Sequence, residues 1–218
     1  MVITIIALIL GIILPSIVGL FSAGADAQAY NALLGQLAAA RAYAMQNGVR
    51  AGVLVKMADA SSLTNTCWSA VVAQDPNGLF YLAKGFAPRR FPGTIAFGQV
   101  SNVFVNNAGN FISILDDPIQ ANYLGDFTTF TILFSPTGRL ETMWIDDKWD
   151  ANDPMYDPSL PNFLWGRPHS GGYTVNAVAL FDYARLKPLN PNSRANYLQI
   201  NAQFLPVNAY TGELLSRH

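Results

Sequence analysis

Residues 1–21 read MVITIIALILGIILPSIVGLF, and residues 22–48 continue as SAGADAQAYNALLGQLAAARAYAMQNG. The first run carries no charged side chain. As a helix it is about 30 Å long, the thickness of a bilayer's hydrocarbon core, so it predicts a membrane-spanning segment. A cleaved signal peptide competes with that reading, because Ala25-Asp26-Ala27 and Ala27-Gln28-Ala29 both have the small-x-small pattern of a cleavage site. Three features oppose it: no basic residue precedes the run, the run is longer than a signal peptide's apolar region, and the helical pattern continues past both sites. Pro15 removes one backbone hydrogen bond and predicts a kink, which lipid tolerates where neighbouring helices cover the freed carbonyl.

In the second run Leu33, Leu34, Leu37, Arg41, Ala44 and Met45 fall at helical spacing, and Asn47-Gly48 supplies the left-handed stop of a helix C-terminus. The two runs together predict one helix of about 45 residues, transmembrane over 1–21 and amphipathic over 22–48. Beyond Gly48 the pattern changes to short runs rich in Val, Ile, Phe, Thr and Tyr, punctuated by Gly, Pro and Asn. Strands are expected at 49–57, 68–74, 79–84, 95–100, 110–115, 127–134, 139–145 and 174–186. Tight turns are expected at Asp75-Pro76-Asn77-Gly78 and Ser135-Pro136-Thr137-Gly138. A short helix over 193–201 capped by Ser193 competes with a strand there. No helices separate the strands. The expected fold class is therefore α+β: one long N-terminal helix packed on an antiparallel β-sheet or sandwich formed by residues 49–218.

With 218 residues the chain holds an anchor and one further domain. A net charge of -1 with only 12% charged residues gives no electrostatic footprint for nucleic acid. The single cysteine, Cys67, forms no internal disulfide and reads as a small buried residue beside Trp68.

Three stretches resemble the type IV pilin-like proteins and, among them, the H-type minor pseudopilins of type II secretion. Met1-Val2-Ile3-Thr4-Ile5-Ile6-Ala7-Leu8-Ile9-Leu10 followed by Pro15 looks like the apolar part of that family's N-terminal cleavage and methylation segment. Ala40-Arg41-Ala42-Tyr43-Ala44-Met45-Gln46-Asn47-Gly48-Val49-Arg50 is similar to its helix end and entry into the first strand. Ile132-Leu133-Phe134-Ser135-Pro136-Thr137-Gly138-Arg139 is similar to one of its hairpins. The resemblance implies a filament subunit with no catalytic residues and no cofactor. Its implied location is the inner membrane, single-pass, with the C-terminal domain in the periplasm until assembly. The implied partners are other pilin or pseudopilin subunits, a prepilin peptidase, an inner-membrane assembly platform and membrane lipid. Ala7, Gly11, Pro15 and Gly19 are the expected helix-packing positions; the small residues among them also fit the ordinary composition of a transmembrane helix.

Catalytic constellations are lacking in the sequence. His169 lies in a turn-like stretch and His218 ends the chain, so neither supports a Ser-His-Asp arrangement; zinc spacing and phosphate-binding loops are missing too. Residues 146–170 read as a long irregular loop. Its aspartates Asp146, Asp147, Asp150, Asp153 and Asp157 raise a calcium reading, against a solvated acidic loop that touches a partner. The spacing lacks the glycine and terminal glutamate of an EF-hand. A second reading of the whole chain is a secreted or periplasmic ligand-binding module behind a signal peptide, with Trp149, Trp165 and Tyr173 on its ligand face.

Aligning the family pattern on Pro15 places its glutamate three residues before Met1. The resemblance therefore implies a start upstream of Met1, and the in-frame DNA there is expected to encode a basic leader and a Glu-Leu-Leu-like run. Sequencing that DNA checks this, and an in-frame stop codon directly upstream overturns it.

Overall fold

The computed structural model describes residues 2–57, 67–76, 78, 80–99, 104–105, 111–112, 130–145 and 172–215, with side chains at 24–56, 67–76, 78, 80–99, 130–143, 174–190, 193–194 and 196–215. The chain is α+β. Helix α1 (Val2–Asn47) is followed by β1 (Ala51–Met57), β2 (Cys67–Gln74), β3 (Phe80–Leu82), β4 (Arg89–Arg90) and β5 (Ile95–Gln99). Next come β6 (Phe104–Val105), β7 (Phe111–Ile112), β8 (Phe130–Phe134), β9 (Leu140–Glu141), β10 (Trp144–Ile145), β11 (Gly172–Tyr173) and β12 (Ala177–Asp182). The chain then forms α2 (Tyr183–Leu186), α3 (Pro191–Asn201) and β13 (Gln203–Pro206).

Every strand pair among the described residues is antiparallel. The main sheet runs β3-β2-β1-β8-β9, with β4 also on β2; a second sheet runs β13-β12-β5. Alternation along the central strands decides which side chains meet the helix. Val53 lies opposite Val71 on one neighbour and Ile132 on the other, while Ala51 lies opposite Ala73 and Phe134. These residues join one core with Ala29, Leu33, Leu37, Ala40 and Ala44 of α1, and the second sheet adds Phe97, Val178, Leu180 and Leu205. The intervening residues Leu54, Val72, Phe80 and Leu133 form a smaller cluster with Met143 on the other side of the main sheet. At Gly52 strands β1 and β8 approach so closely that a Cβ would collide with the Ile132 carbonyl oxygen.

Both expected turns close hairpins. Gly78 donates its N–H to the Asp75 carbonyl at 3.1 Å, and Gly138 to the Ser135 carbonyl at 2.8 Å, with φ of 89° and 76°. The helix stops at Gly48, whose φ of 65° is the expected left-handed conformation. Several boundaries move. The strand expected over 174–186 ends at Asp182, because the Asp182 side chain accepts from the Ala184 N–H and caps α2. The later helix is capped by Asn190 rather than Ser193, since Pro191 is preset for the first helical position and Asn190 Oδ1 accepts from Ser193 N–H. The strand expected over 139–145 splits into β9 and β10, which pair with different neighbours. Strands β4, β6, β11 and β13 have no counterpart in the sequence reading.

Among the described residues no helix is long and apolar enough to cross a membrane. The side chains of residues 1–23, where the sequence places the span and the packing positions Ala7, Gly11, Pro15 and Gly19, lie outside the described set. So do Asp146, Asp147, Asp150, Asp153, Asp157, Trp149, Trp165, His169 and His218, and the side chain of Tyr173.

Leu37 is fully buried between helix and sheet, while its neighbour Ala38 faces outward. Leu37→Ala is expected to lower unfolding free energy by about 2–5 kcal/mol through lost burial and the cavity left behind. Ala38→Gln is expected to stay within about 0.5 kcal/mol. Urea titration of both variants measures the difference.

Candidate functional site

Over Gly24–Asn47 the sequence carries only two charged residues, Asp26 and Arg41. Burying Ala29, Leu33, Leu37, Ala40 and Ala44 turns the opposite face outward, and that face presents Ala27, Asn31, Gly35, Ala38 and Ala42. A water-facing helix surface normally carries interspersed charges; this one is small and uncharged.

Arg41 is turned away from that face. Its Nε donates to the Gly138 carbonyl at 2.9 Å, tying the helix end to the tip of the β8–β9 hairpin. A Cβ at position 138 would meet Met45 Sδ at 2.6 Å, and one at position 212 would meet Phe134 Cζ at 2.9 Å and Arg41 Cδ at 3.3 Å. Two glycines thus make room for the arginine. Arg139 lies 5.0 Å from the centre of the exposed Tyr210 ring, and Leu140 N–H donates to the Ala209 carbonyl at 2.8 Å, so the C-terminal turn joins the same junction. One strand further in, Arg50 grips Glu141 through two bonds of 2.8 and 3.1 Å; hydrogen bonding to that carboxylate pushes the arginine's pKa further up. The two described segments that carry the resemblance, residues 40–50 and 132–139, therefore meet in space.

Beside the helix end lies a shallow groove of about 420 Å³ lined by Ala39, Ala42, Tyr43, Gln46, Asn47, Lys84 and Phe86. Tyr43 and Phe86 pack edge to face, 5.9 Å between ring centres. Nothing in the sequence marked Lys84 and Phe86 as neighbours of the helix, because the contact depends on the course of the chain after β3.

A titratable cluster forms nearer the start of the described helix side chains. Partial burial, and then the Asp182 carboxylate, raise the Asp26 carboxyl above its ordinary range. Tyr197 is raised by burial first, then by Asp182, with Asp26 adding and Arg185 opposing. Deeper in the core, Gln36 Nε2 donates to the Ser69 carbonyl at 3.3 Å, while Gln36 Oε1 and Ser69 Oγ are buried without partners among the described residues. Arg194 donates from Nη2 to the Lys187 carbonyl at 2.8 Å, yet its Nε and Nη1 are also buried and find no partner among the described residues. No sequence signal points to either site. Cys67 is fully buried, and burial pushes its thiol up to about 12 against a backbone hydrogen bond from Phe97, so the reactive thiolate is suppressed.

Among the described residues no three His, Cys, Asp or Glu side chains converge as metal ligands would. No family model, curated protein or solved structure matches the chain.

The raised Asp26 pKa has a definite sign. A carboxyl that holds its proton more tightly when folded contributes stability below its unfolded pKa and loses it as pH rises through the folded value. Asp26→Asn is therefore expected to raise the melting temperature at pH 7 and to leave it nearly unchanged at about pH 3, where the wild-type carboxyl is protonated. Thermal melts of both proteins across that range check it.

Proposed function

We propose that this chain is a structural subunit of a type IV pilin-like filament, of the kind represented by the minor pseudopilins of type II secretion. In this reading residues 1–21 hold it in the inner membrane and the β-rich domain lies in the periplasm until assembly. Its partners are other subunits, a prepilin peptidase that removes the leader, the assembly platform and the surrounding lipid. It is not an enzyme and needs no cofactor.

The observation that carries this reading is the outward face of α1. A helix clamped to a sheet by one stripe has no folding reason to keep its other side free of charge, and Lys, Glu or Arg there would favour solubility. A second helix can lie close against a face of Ala27, Asn31, Gly35, Ala38 and Ala42, because small side chains let two backbones approach. Ahead of it, an uncharged Ile- and Leu-rich run exchanges lipid for similar helices at little cost in apolar burial. The contact between segments 40–50 and 132–139 supports the reading as well, since both belong to one resemblance.

The test is incorporation in a cell that assembles such filaments. Asn31→Glu combined with Ala38→Glu places two charges in the helix contact, where desolvation costs several kcal/mol. The variant is expected to accumulate in the membrane and to be missing from sheared filaments, with the domain's melting temperature unchanged because both positions are exposed. Normal incorporation would sink the proposal. A mature mass lacking everything up to Ala27 or Ala29 would instead favour the ligand-binding module behind a signal peptide.

A further inference from the structure

Several parts of the chain gather beside the first described side chains of α1. A Cβ at Gly93 would stand 3.6 Å from that of Ala25, and Asp182 and Tyr197 lie close enough to Asp26 to interact with its charge. Strand β12 ends here, with Asp182 opposite Ile95 at the start of β5, and β13 begins here, with Gln203 opposite Leu180. Residues 183–202, which carry α2 and α3, therefore close the end of the core nearest residues 1–21. Tyr183, Leu186 and Leu198 anchor them in it. At 1.5 Å per residue, Asp26 is only about 8 Å along α1 from Phe21.

We infer that this end of the domain seats on an anionic lipid surface, with Arg185 and Lys187 at the headgroup phosphates and Ile200 entering the interface. The inference rests on the reading that residues 1–21 lie in lipid. From Tyr183 to Gly212 the sequence contains no acidic residue and three cations, Arg185, Lys187 and Arg194. The Arg185 side chain is 74% exposed, and its pair with Asp182, at 3.4 Å, is open to solvent and weak. Arg194 stands behind the other two: its guanidinium is bonded to the Lys187 carbonyl, and its buried Nε and Nη1 meet no described carboxylate. Against these three the acids at this end are Asp26 and Asp182, so the end is positive. Ile200 is 71% exposed, more than any other large apolar side chain described. It sits one turn beyond Tyr197 on a flank of α3 turned away from the buried Arg194 and Leu198. Exposed Asn190, Asn196, Gln199 and Asn201 surround it with amides. An apolar side chain set among cations and amides is the composition of a segment that lies on a membrane rather than in it.

The test uses full-length chain reconstituted in vesicles of phosphatidylcholine alone and of phosphatidylcholine with phosphatidylglycerol. A fluorophore is placed on Ile200→Cys or, near the Arg41 end of the helix, on Thr211→Cys; Cys67 stays unlabelled in the core. A nitroxide carried on lipid headgroups is expected to quench the label at 200 more strongly in the anionic vesicles, and the label at 211 equally weakly in both. Each of Arg185→Gln and Lys187→Gln is expected to lower the ratio of seated to free domain about fivefold, and together they remove the difference between vesicles. Salt at about 0.5 M is expected to remove it too, which makes the same test on the unaltered fold. Equal quenching at 200 in the two kinds of vesicle overturns the inference, as does a difference that survives both the substitutions and the salt. A chain that alkaline carbonate strips from the vesicles overturns instead the reading of residues 1–21, and the seat falls with it.

Discussion

The rest of the structure depends on one stripe of the helix being kept from water. Ala29, Leu33, Leu37, Ala40 and Ala44 are buried against β1, β2, β8 and β5. Each buried leucine there contributes about 1.5–3 kcal/mol relative to exposure. The alanines matter for a different reason: they bring the helix axis close enough for Val53, Val71 and Ile132 to pack against it. With that face fixed, the rotation of the helix is fixed, and with it the direction in which every other helix residue points. Arg41 reaches Gly138 and Asp26 feels Asp182 because the stripe leaves them no other orientation. The uncharged outer face is the same constraint seen from the other side.

Much of this was legible because the sequence changes period at Gly48. Helical spacing before it and strand spacing after it give α+β without ambiguity, and the Pro-x-Gly pattern of both turns reflects a backbone that only glycine adopts easily. The burial stripe itself was only half readable. Leu33, Leu37 and Ala44 were visible, but Ala29 and Ala40 are indistinguishable in sequence from the outward Ala38 and Ala42. In an alanine-rich helix, hydrophobicity does not mark the inner side; the sheet does. Strand ends were misplaced where one hydrogen bond decides the outcome, as with the Asp182 and Asn190 caps.

The groove illustrates a different limit. Its lining joins a helix to a segment some forty residues later, and neither has a periodic pattern pointing at the other. The same holds for the Arg41 junction, where residues 41, 138 and 212 converge through two glycines. The buried polar atoms of Gln36, Ser69 and Arg194 show the opposite case, polar groups in the interior for which hydrogen bonding within the described fold gives only partial compensation.

The hydrogen bond from Tyr30 Oη to the Leu214 carbonyl, 3.1 Å long, links residues 184 apart in sequence. Core neighbours of the helix include Leu205, Val207 and Leu214, among the last residues described. During synthesis the helix leaves the ribosome first and its final partners leave last. At about 5–20 residues per second, the apolar stripe waits some tens of seconds or less with an incomplete counterpart. Helix formation is local and fast, whereas its docking is a long-range event. The nascent chain therefore passes through a stage with one finished element and a half-built core. Its vulnerability to wrong partners is set by the order of its residues in time rather than by the stability of the final fold.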